Sequence, residues 1–256
     1  MTTFVTKHSQ KPHKIPMLAV GLALGVFVAG LSACAPAMPP QGINDPFETQ
    51  NRATHALNLK LDTYVVRPLA TKATRFVPDP VFRGVNNFAG NLSLPSTVAN
   101  DLLQAKLRPA LNNTLRLALN SSIGIGGLFD PATKMGLLAQ ETDFGETLSV
   151  WGMGEGAYVE LPLYGPSTQR DALGTVVDAV LDPASLLVPK QKRWIGTFAK
   201  VAARIGDRGR YSETVDSILY DSADGYAQAR LLYLENRRHT LGQTTTESEF
   251  EDPYAQ

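Results

Sequence analysis

Few side chains in this sequence have the types and spacing that acid–base or metal chemistry requires. Two of the four histidines lie in the first 14 residues and a third begins the polar C-terminal segment, so only His55 falls within a helical pattern. Asp143 and Glu146 could form a carboxylate pair, but they are explained more simply as acids in the first turn of a helix, where the helix dipole favours them. We interpret His55 as a structural residue. We therefore expect no catalytic residue, no metal site and no cofactor.

The single cysteine, Cys34, indicates a different chemistry, which is covalent lipid attachment. A basic segment at residues 7–14 and an apolar run at residues 17–30 precede it. The run is shorter than the roughly 20 residues that a membrane-spanning helix needs, but it suits a signal peptide. The sequence LSAC at residues 31–34 resembles the bacterial lipobox. We predict that residues 1–33 are a lipoprotein signal peptide and that Cys34 carries the lipid; a plain secretory signal is the alternative.

Composition limits the class of partner. The chain has 256 residues and a formal net charge of zero. Nucleic-acid binding generally requires a basic surplus, so we expect no nucleic-acid partner. Ala35, rather than an aspartate, follows the cysteine, which under the common bacterial sorting rule indicates the outer membrane.

The remaining chain divides into a tether, a domain and a tail. Residues 34–43 are rich in proline and read as a tether. Residues 44–238 show repeated amphipathic helical patterns separated by prolines, which predicts an all-α, single compact domain. Residues 239–256 are polar and acidic without a period, so we expect a disordered acidic tail.

The first predicted helix shows how these patterns are interpreted. Asp45 is expected to cap its N-terminus. Leu57 and Tyr64 share one face of the helix, which we expect to be buried, and Asn51 and His55 lie on the opposite face.

Three further prolines, Pro68, Pro95 and Pro109, are each expected to begin a new helix. The only strand-like piece is at residues 157–163, where Pro162 restricts it to the edge of a sheet.

A basic amphipathic helix is predicted over residues 190–210. Trp194, Ile195 and Phe198 share its apolar face, and lysines and arginines occupy the rest. This pattern is typical of a helix that lies at a membrane interface. An ordinary surface helix that covers the core is the alternative.

Taken as a set, the motifs from residue 44 to residue 182 resemble the MlaA/VacJ family of outer-membrane phospholipid-transport lipoproteins. The motifs that carry the resemblance are NDPFE at 44–48, RGVNNF at 83–88, NSSIGIGGLFD at 120–130, DFGETL at 143–148, WGMG at 151–154 and LPLYGPS at 161–167.

The resemblance implies a ring-like helical body in the inner leaflet of the outer membrane, anchored on the periplasmic side and surrounding a polar channel. It implies that phospholipids mislocalised to the outer leaflet pass through this channel, which would maintain lipid asymmetry. The implied partners are phospholipids, a trimeric porin and a soluble periplasmic lipid carrier.

Within this interpretation, glycines that permit close backbone approach and residues at the family motifs are the candidates for shaping the channel. They are Asn87, Phe88, Gly124, Gly126, Gly127, Gly152 and Gly154. The same glycines could merely permit turns. The alternative functions are a structural or adaptor lipoprotein of the envelope that moves no lipid and an enzyme of unrecognised type.

Overall fold

Helices make up most of the fold. The computed structural model describes residues 43–181 and 190–243. Cys34, the signal peptide, the tether up to residue 42 and the tail beyond residue 243 lie outside these residues.

In chain order the elements are α1 (Glu48–Leu61), a π-helical segment (Asp62–Val66), α2 (Arg67–Phe76), α3 (Asp79–Leu103), α4 (Leu107–Ser122), α5 (Pro131–Lys134), α6 (Phe144–Val150), β1 (Tyr158–Leu161), β2 (Gly165–Thr168), α7 (Gln169–Leu181), a 3-10 turn (Lys190–Lys192), α8 (Arg193–Arg210), α9 (Ser212–Leu219) and α10 (Gly225–Thr240). The predicted all-α single domain is confirmed.

Prolines interrupt these helices less often than predicted. Pro109 lies in the first turn of α4, as expected. Pro68 lies in the first turn of α2, yet the π-helical segment joins α1 to α2 without a break. Pro95 lies inside α3, so the prediction that it begins a new helix is wrong. A proline inside a helix costs about 3 kcal/mol, and the packing of α3 against α4 and α8 offsets that cost.

The predicted cap of α1 is also wrong. The helix begins at Glu48 without a side-chain cap. Asp45 instead accepts a hydrogen bond from Asn51 Nδ2 at 2.8 Å and further hydrogen bonds from Tyr226 and Arg230 of α10. A charge-assisted bond from an arginine is stronger than a neutral bond to a backbone N–H, so the tertiary partners take the carboxylate.

Asp143 and Glu146 lie at the start of α6, which confirms that they mark a helix N-terminus. Asp143 Oδ1 accepts a hydrogen bond from the backbone N–H of Glu146 at 2.8 Å. Glu146 pairs with Lys106 at 2.5 Å. Asp143 therefore caps the N-terminus of α6, and Lys106, in the loop between α3 and α4, binds the first turn of the helix.

The burial of α1 is opposite to the prediction. Leu57 of α1 and Tyr64 of the π-helical segment that continues it are 58% and 78% exposed, whereas Asn51 and His55 are buried. His55 Nδ1 lies 3.2 Å from the carboxylate of Glu160, so it is a structural, hydrogen-bonded residue as interpreted from the sequence. The expectation that the apolar face is buried is wrong. Periodicity shows which side chains share a helix face, but it does not show which medium that face meets.

The same inversion occurs in α4. Leu111 and Leu115 lie on its exposed face, and Asn113, Arg116 and Asn120 are buried. The interior between the helices is therefore filled largely by polar side chains and by small residues.

Small residues bring α3 and α8 together. Ala89 of α3 and Ala199 and Ala203 of α8 form one buried cluster, and Val85 and Phe88 pack at its border. Because alanine side chains are short, the two helix axes can approach closely, which places the polar faces of both helices beside each other.

A two-stranded antiparallel hairpin packs against α1 and α10. Strand β1 pairs with β2, with Tyr158 opposite Thr168. Strand β1 confirms the strand predicted at residues 157–163, but its partner was not predicted because GPST has no strand-like alternation. Tyr158 clusters with Tyr226 and Leu234 of α10. The hairpin turn carries Tyr164 to α8.

Among the described residues, no helix combines the length and the apolar character needed to cross a membrane.

Candidate functional site

A large polar cavity lies between α3, α4, α8 and the loop that precedes α6. Its volume is about 880 Å³. The residues that line it are mostly polar or small: Asn86, Asn87, Ala89, Gly90, Asn91, Ser93, Leu94 and Thr97 from α3; Asn113, Arg116 and Asn120 from α4; Asp130 and residues 139–142 from the loops; Tyr164 from the hairpin turn; Ala179 from α7; and Thr197, Lys200, Val201, Ala203, Arg204 and Asp207 from α8.

Helix α3 supplies a row of asparagines to the cavity. Asn87 and Asn91 lie four residues apart, so they occupy neighbouring positions on one helix face. Asn87 Nδ2 donates to the carbonyl of Leu128 at 3.2 Å, and Asn91 Nδ2 donates to Ser121 Oγ at 3.1 Å. These bonds fix the asparagines against the glycine-rich loop after α4.

The wall formed by α4 is organised around a buried ion pair. Arg116 donates to Asp130 at 3.0 Å, to Thr133 Oγ1 at 2.9 Å and to the carbonyl of Leu137. Asn120 donates to the other oxygen of Asp130 at 3.1 Å. Burial opposes the ionisation of Asp130, but hydrogen bonds from Thr133, Arg116 and Asn120 outweigh it and hold the pKa of Asp130 below its ordinary value. This wall is therefore electrically neutral and held rigidly.

The wall formed by α8 differs because it carries two cations, Lys200 and Arg204, which we call the α8 cation pair. Asp207 on the same wall accepts a hydrogen bond from Asn86 Nδ2 at 2.7 Å. The guanidinium of Arg204 lies 5.1 Å from the ring centroid of Tyr164. In the part of the chain that the structure describes, no carboxylate forms a salt bridge with either cation. This wall therefore presents two cations that form no salt bridge and one carboxylate, that of Asp207, to the cavity.

Of the residues predicted to shape a channel, one lines the cavity and two are glycines packed closely against residues that line it. Asn87 lines it. A Cβ on Gly124 would lie 2.4 Å from the carbonyl oxygen of Asn120, and a Cβ on Gly127 would lie 2.5 Å from Asn91 Cβ. The two glycines therefore allow the loop to pack directly behind two asparagines of the cavity.

The other four predicted residues lie away from the lining. Phe88 packs on the alanine cluster between α3 and α8. Gly126 has a φ of +69° and open space beside it, which suits a turn, and its carbonyl accepts a hydrogen bond from Asn91 at 3.4 Å. Gly152, with a φ of +92°, and Gly154 lie in the exposed connection after α6.

The predicted interface residues Trp194, Ile195 and Phe198 are exposed. Trp194 and Phe198 are 64% and 67% exposed on the side of α8 that faces away from the helical core. Their placement is compatible with contact to a membrane.

Several lining residues were missed by sequence reasoning, among them Arg116, Tyr164, Lys200 and Arg204. A usable signal existed for Lys200 and Arg204, because a pair of cations four residues apart lies on one helix face. No comparable signal marks Tyr164, since only the hairpin turn brings it to α8.

Within residues 43–181 and 190–243, no group of three or more histidine, cysteine, aspartate or glutamate side chains could hold a metal ion.

The fold and the cavity together define a class of protein, an all-α domain that buries polar side chains around a cavity and turns many large apolar side chains outward. The chain belongs to the MlaA lipoprotein family, whose model matches residues 43–240. It is 34% identical over 221 residues to the intermembrane phospholipid transport system lipoprotein MlaA of Escherichia coli (strain K12), covering 84% of each chain.

Two further comparisons agree. The protein of the same name from Haemophilus influenzae (strain ATCC 51907 / DSM 11121 / KW20 / Rd) is 30% identical over 199 residues, covering 75% of this chain and 77% of that one. A solved structure that concerns the structural basis for maintenance of bacterial outer membrane lipid asymmetry matches with a TM-score of 0.65 and 31% identity, over 77% of this chain and 98% of that chain.

Proposed function

We propose that this protein is the lipid-anchored outer-membrane component of an intermembrane phospholipid transport system. It removes phospholipids that are mislocalised to the outer leaflet and so maintains the lipid asymmetry of the outer membrane. The observation that carries this proposal is a cavity of about 880 Å³, lined mostly by polar residues, in a domain that turns large apolar side chains outward. The names of the related proteins support it.

The inverted polarity has a direct physical interpretation. In water, exposed apolar surface is unfavourable by about 25 cal/mol per Å². Five large apolar side chains are more than half exposed: Leu57 of α1, Tyr64 of the π-helical segment, Leu111 of α4, and Trp194 and Phe198 of α8. Large exposed apolar surfaces mark sites of contact with a membrane or a partner. We infer that these helix faces meet acyl chains of the inner leaflet of the outer membrane.

The interior suits a phospholipid headgroup. Asparagine side chains from α3 and α4 and the charged side chains of α8 replace the hydrogen bonds that a headgroup would lose on leaving water. Transfer of polar groups into hydrocarbon without such partners costs several kcal/mol per group. The cavity therefore lowers the barrier for a headgroup to pass through an apolar layer, and this task breaks no covalent bond.

The anchor and the partners complete the proposal. Acylated Cys34 would hold the domain on the periplasmic side, since two or three acyl chains together make a stable anchor. A phospholipid leaving the cavity toward the periplasm needs shelter from water, which a soluble lipid carrier provides. Resemblance to the family adds a trimeric porin as the second partner.

The proposal is tested by measuring phospholipid in the outer leaflet of cells that lack this protein. We expect phospholipid to accumulate there, and we expect the wild-type gene, but not Cys34→Ala, to reverse the accumulation. Unchanged outer-leaflet composition after deletion would reject transport and favour an adaptor that moves no lipid.

The role of the cavity is tested separately at Gly90. This residue lines the cavity, and a Cβ built on it meets no atom within 4 Å. Gly90→Trp fills the space, whereas Gly90→Ala is the matched control. Gly90→Ala replaces a glycine in a helix interior by alanine, which favours folding by roughly 0.5–1 kcal/mol. We expect only Gly90→Trp to abolish complementation; equal complementation by both variants would show that lipid does not use this cavity.

A further inference from the structure

We propose that the α8 cation pair, Lys200 and Arg204, forms a subsite for the phosphate of a phospholipid headgroup within the cavity. This inference rests on the proposed function and identifies the residues that recognise its cargo.

The position of the pair on α8 is the first argument. Ala199 and Ala203 pack against α3, while Trp194 and Phe198 face outward. The remaining side of the helix, which carries Thr197, Lys200, Arg204 and Asp207, lines the cavity. One helix therefore contacts the core, the exterior and the cavity with three different kinds of side chain.

The second argument is that the two cations are left without carboxylate partners. On the same helix, Arg208 pairs with Asp62 at 2.8 Å and with Asp216 at 2.6 Å. Within the described residues, Lys200 and Arg204 have no such pair. Like charges four residues apart on a helix repel each other, so this arrangement favours binding of an anion.

Two carboxylates of the cavity bond to other side chains. Asp130 pairs with Arg116 and accepts a hydrogen bond from Asn120, and Asp207 accepts a hydrogen bond from Asn86. Asp207 keeps its negative charge, so the two cations of α8 outnumber the carboxylate on their own wall. Glu141 is an exposed residue in the loop that precedes α6.

Tyr164 positions the second cation. Its ring lies 5.1 Å from the guanidinium of Arg204, a separation at which an arginine is attracted to the face of an aromatic ring. An arginine presents a planar pair of donors that matches two phosphate oxygens, whereas a lysine acts as a compact point charge. Together they suit the phosphate of a phospholipid.

The test measures binding of three probes to the mature lipidated protein in detergent by native mass spectrometry. The probes are a short-chain phosphatidylglycerol, the matching diacylglycerol without phosphate, and inorganic phosphate. The variants are Lys200→Gln/Arg204→Gln and the control Lys192→Gln/Arg210→Gln, which removes the same charge at the two ends of the helix. Neither control residue lines the cavity.

We expect the cavity variant to bind phosphatidylglycerol about tenfold or more weakly, because charge-assisted contacts to phosphate are lost. Its affinity for diacylglycerol should not change, and the control should stay within about twofold of wild type because its charges lie outside the cavity. Wild-type affinity for phosphatidylglycerol should fall as salt is raised, and that of the cavity variant should fall much less.

Three results would overturn the inference or its basis. Equal binding of phosphatidylglycerol by wild type and the cavity variant rejects the subsite while leaving lipid transport intact. Binding of inorganic phosphate as tight as that of the lipid shows that the site takes free phosphate rather than a headgroup. Failure of wild type to bind phosphatidylglycerol and diacylglycerol alike rejects the proposed function itself.

Discussion

Two regions of this protein carry charged side chains in different ways. On α10, Tyr226, Arg230, Tyr233 and Arg237 share one face and bond to the carboxylates of Asp45, Asp143 and Asp171, and we call this set the α10 clamp. On α8, Lys200 and Arg204 also share one face, but they line a cavity and pair with no carboxylate in the described chain.

The difference separates charges that hold the fold from charges that are available to a ligand. In the α10 clamp, burial disfavours ionisation of Asp171, but bonds and charge from Arg237 outweigh it and lower its pKa. The α8 cation pair contributes no comparable bond to the fold. Removal of charge should therefore reduce stability at the α10 clamp and reduce ligand binding at α8.

The largest expected effect is at the centre of the α10 clamp. Asp171→Ala leaves Arg170, which is 1% exposed, and Arg237 without their shared carboxylate. Removing one partner of a buried ion pair lowers the free energy of unfolding by about 3–5 kcal/mol. Denaturant unfolding measures this loss. The control is Asp221→Ala at an exposed position, which should stay within about 0.5 kcal/mol of wild type; a similar small loss for Asp171→Ala would contradict a structural role of the α10 clamp.

The next effect concerns the backbone behind the cavity. A Cβ on Gly124 would lie 2.4 Å from two carbonyl oxygens, those of Asn120 and Phe129. Gly124→Ala should cost about 3 kcal/mol, the upper end for overpacking. Gly126→Ala meets open space and should cost only about 1 kcal/mol, from its positive φ. The same unfolding assay ranks the two variants, and the reverse order would refute this packing.

Protonation of the buried carboxylates at low pH should destabilise the fold less than replacement of Asp171 by alanine. Hydrogen bonds to Asp45, Asp130 and Asp171 outweigh burial and lower their pKa values. A carboxyl whose folded pKa is lowered stabilises the fold above its unfolded pKa, about 3.9, and loses that contribution as pH falls through the folded value. Burial raises the pKa of Asp101. Asp101 therefore opposes folding above its unfolded pKa, and this cost disappears as the pH falls.

Unfolding measured between pH 7 and pH 3 should therefore show the loss concentrated below about pH 4. Asp171→Ala should flatten this part of the curve. An unchanged acid slope in that variant would mean that Asp171 is not among the groups that titrate with folding.

The smallest expected effect on stability is at the α8 cation pair. Lys200→Gln/Arg204→Gln removes a repulsion worth about 0.2–0.5 kcal/mol and breaks no salt bridge, so its free energy of unfolding should stay within about 0.5 kcal/mol of wild type. A loss above about 2 kcal/mol, as large as a core mutation, would place these cations with the α10 clamp and remove the contrast between the two regions.

Much of the helical architecture was predictable from local signals. The patterns around α1, α4, α6 and α8 placed these helices within a few residues, and the residues of the family motifs indicated the class of protein. Two local signals misled. Pro95 suggested a helix start but lies inside α3, and Asp45 suggested a cap but binds Tyr226 and Arg230 from across the chain.

The cavity was predictable only in part. Asn87 is in its lining, and Gly124 and Gly127 support two of its asparagines, but Arg116, Lys200, Arg204 and Tyr164 come from segments that are distant in sequence. Their convergence depends on the packing of α3 against α4 and α8 and on the hairpin turn, and no spacing within one segment encodes it.

By itself, the sequence determined where helices form and which side chains share each helix face, because these depend on a 3.6-residue period and on local end signals. Only the tertiary structure decided that Asn51 and Arg116 point inward while Leu57 and Leu111 point outward. The physical reason is that an amphipathic helix can orient either face toward its neighbours. The choice depends on what the neighbouring helices offer and on the medium outside, and in this protein the inward faces meet polar partners around a cavity.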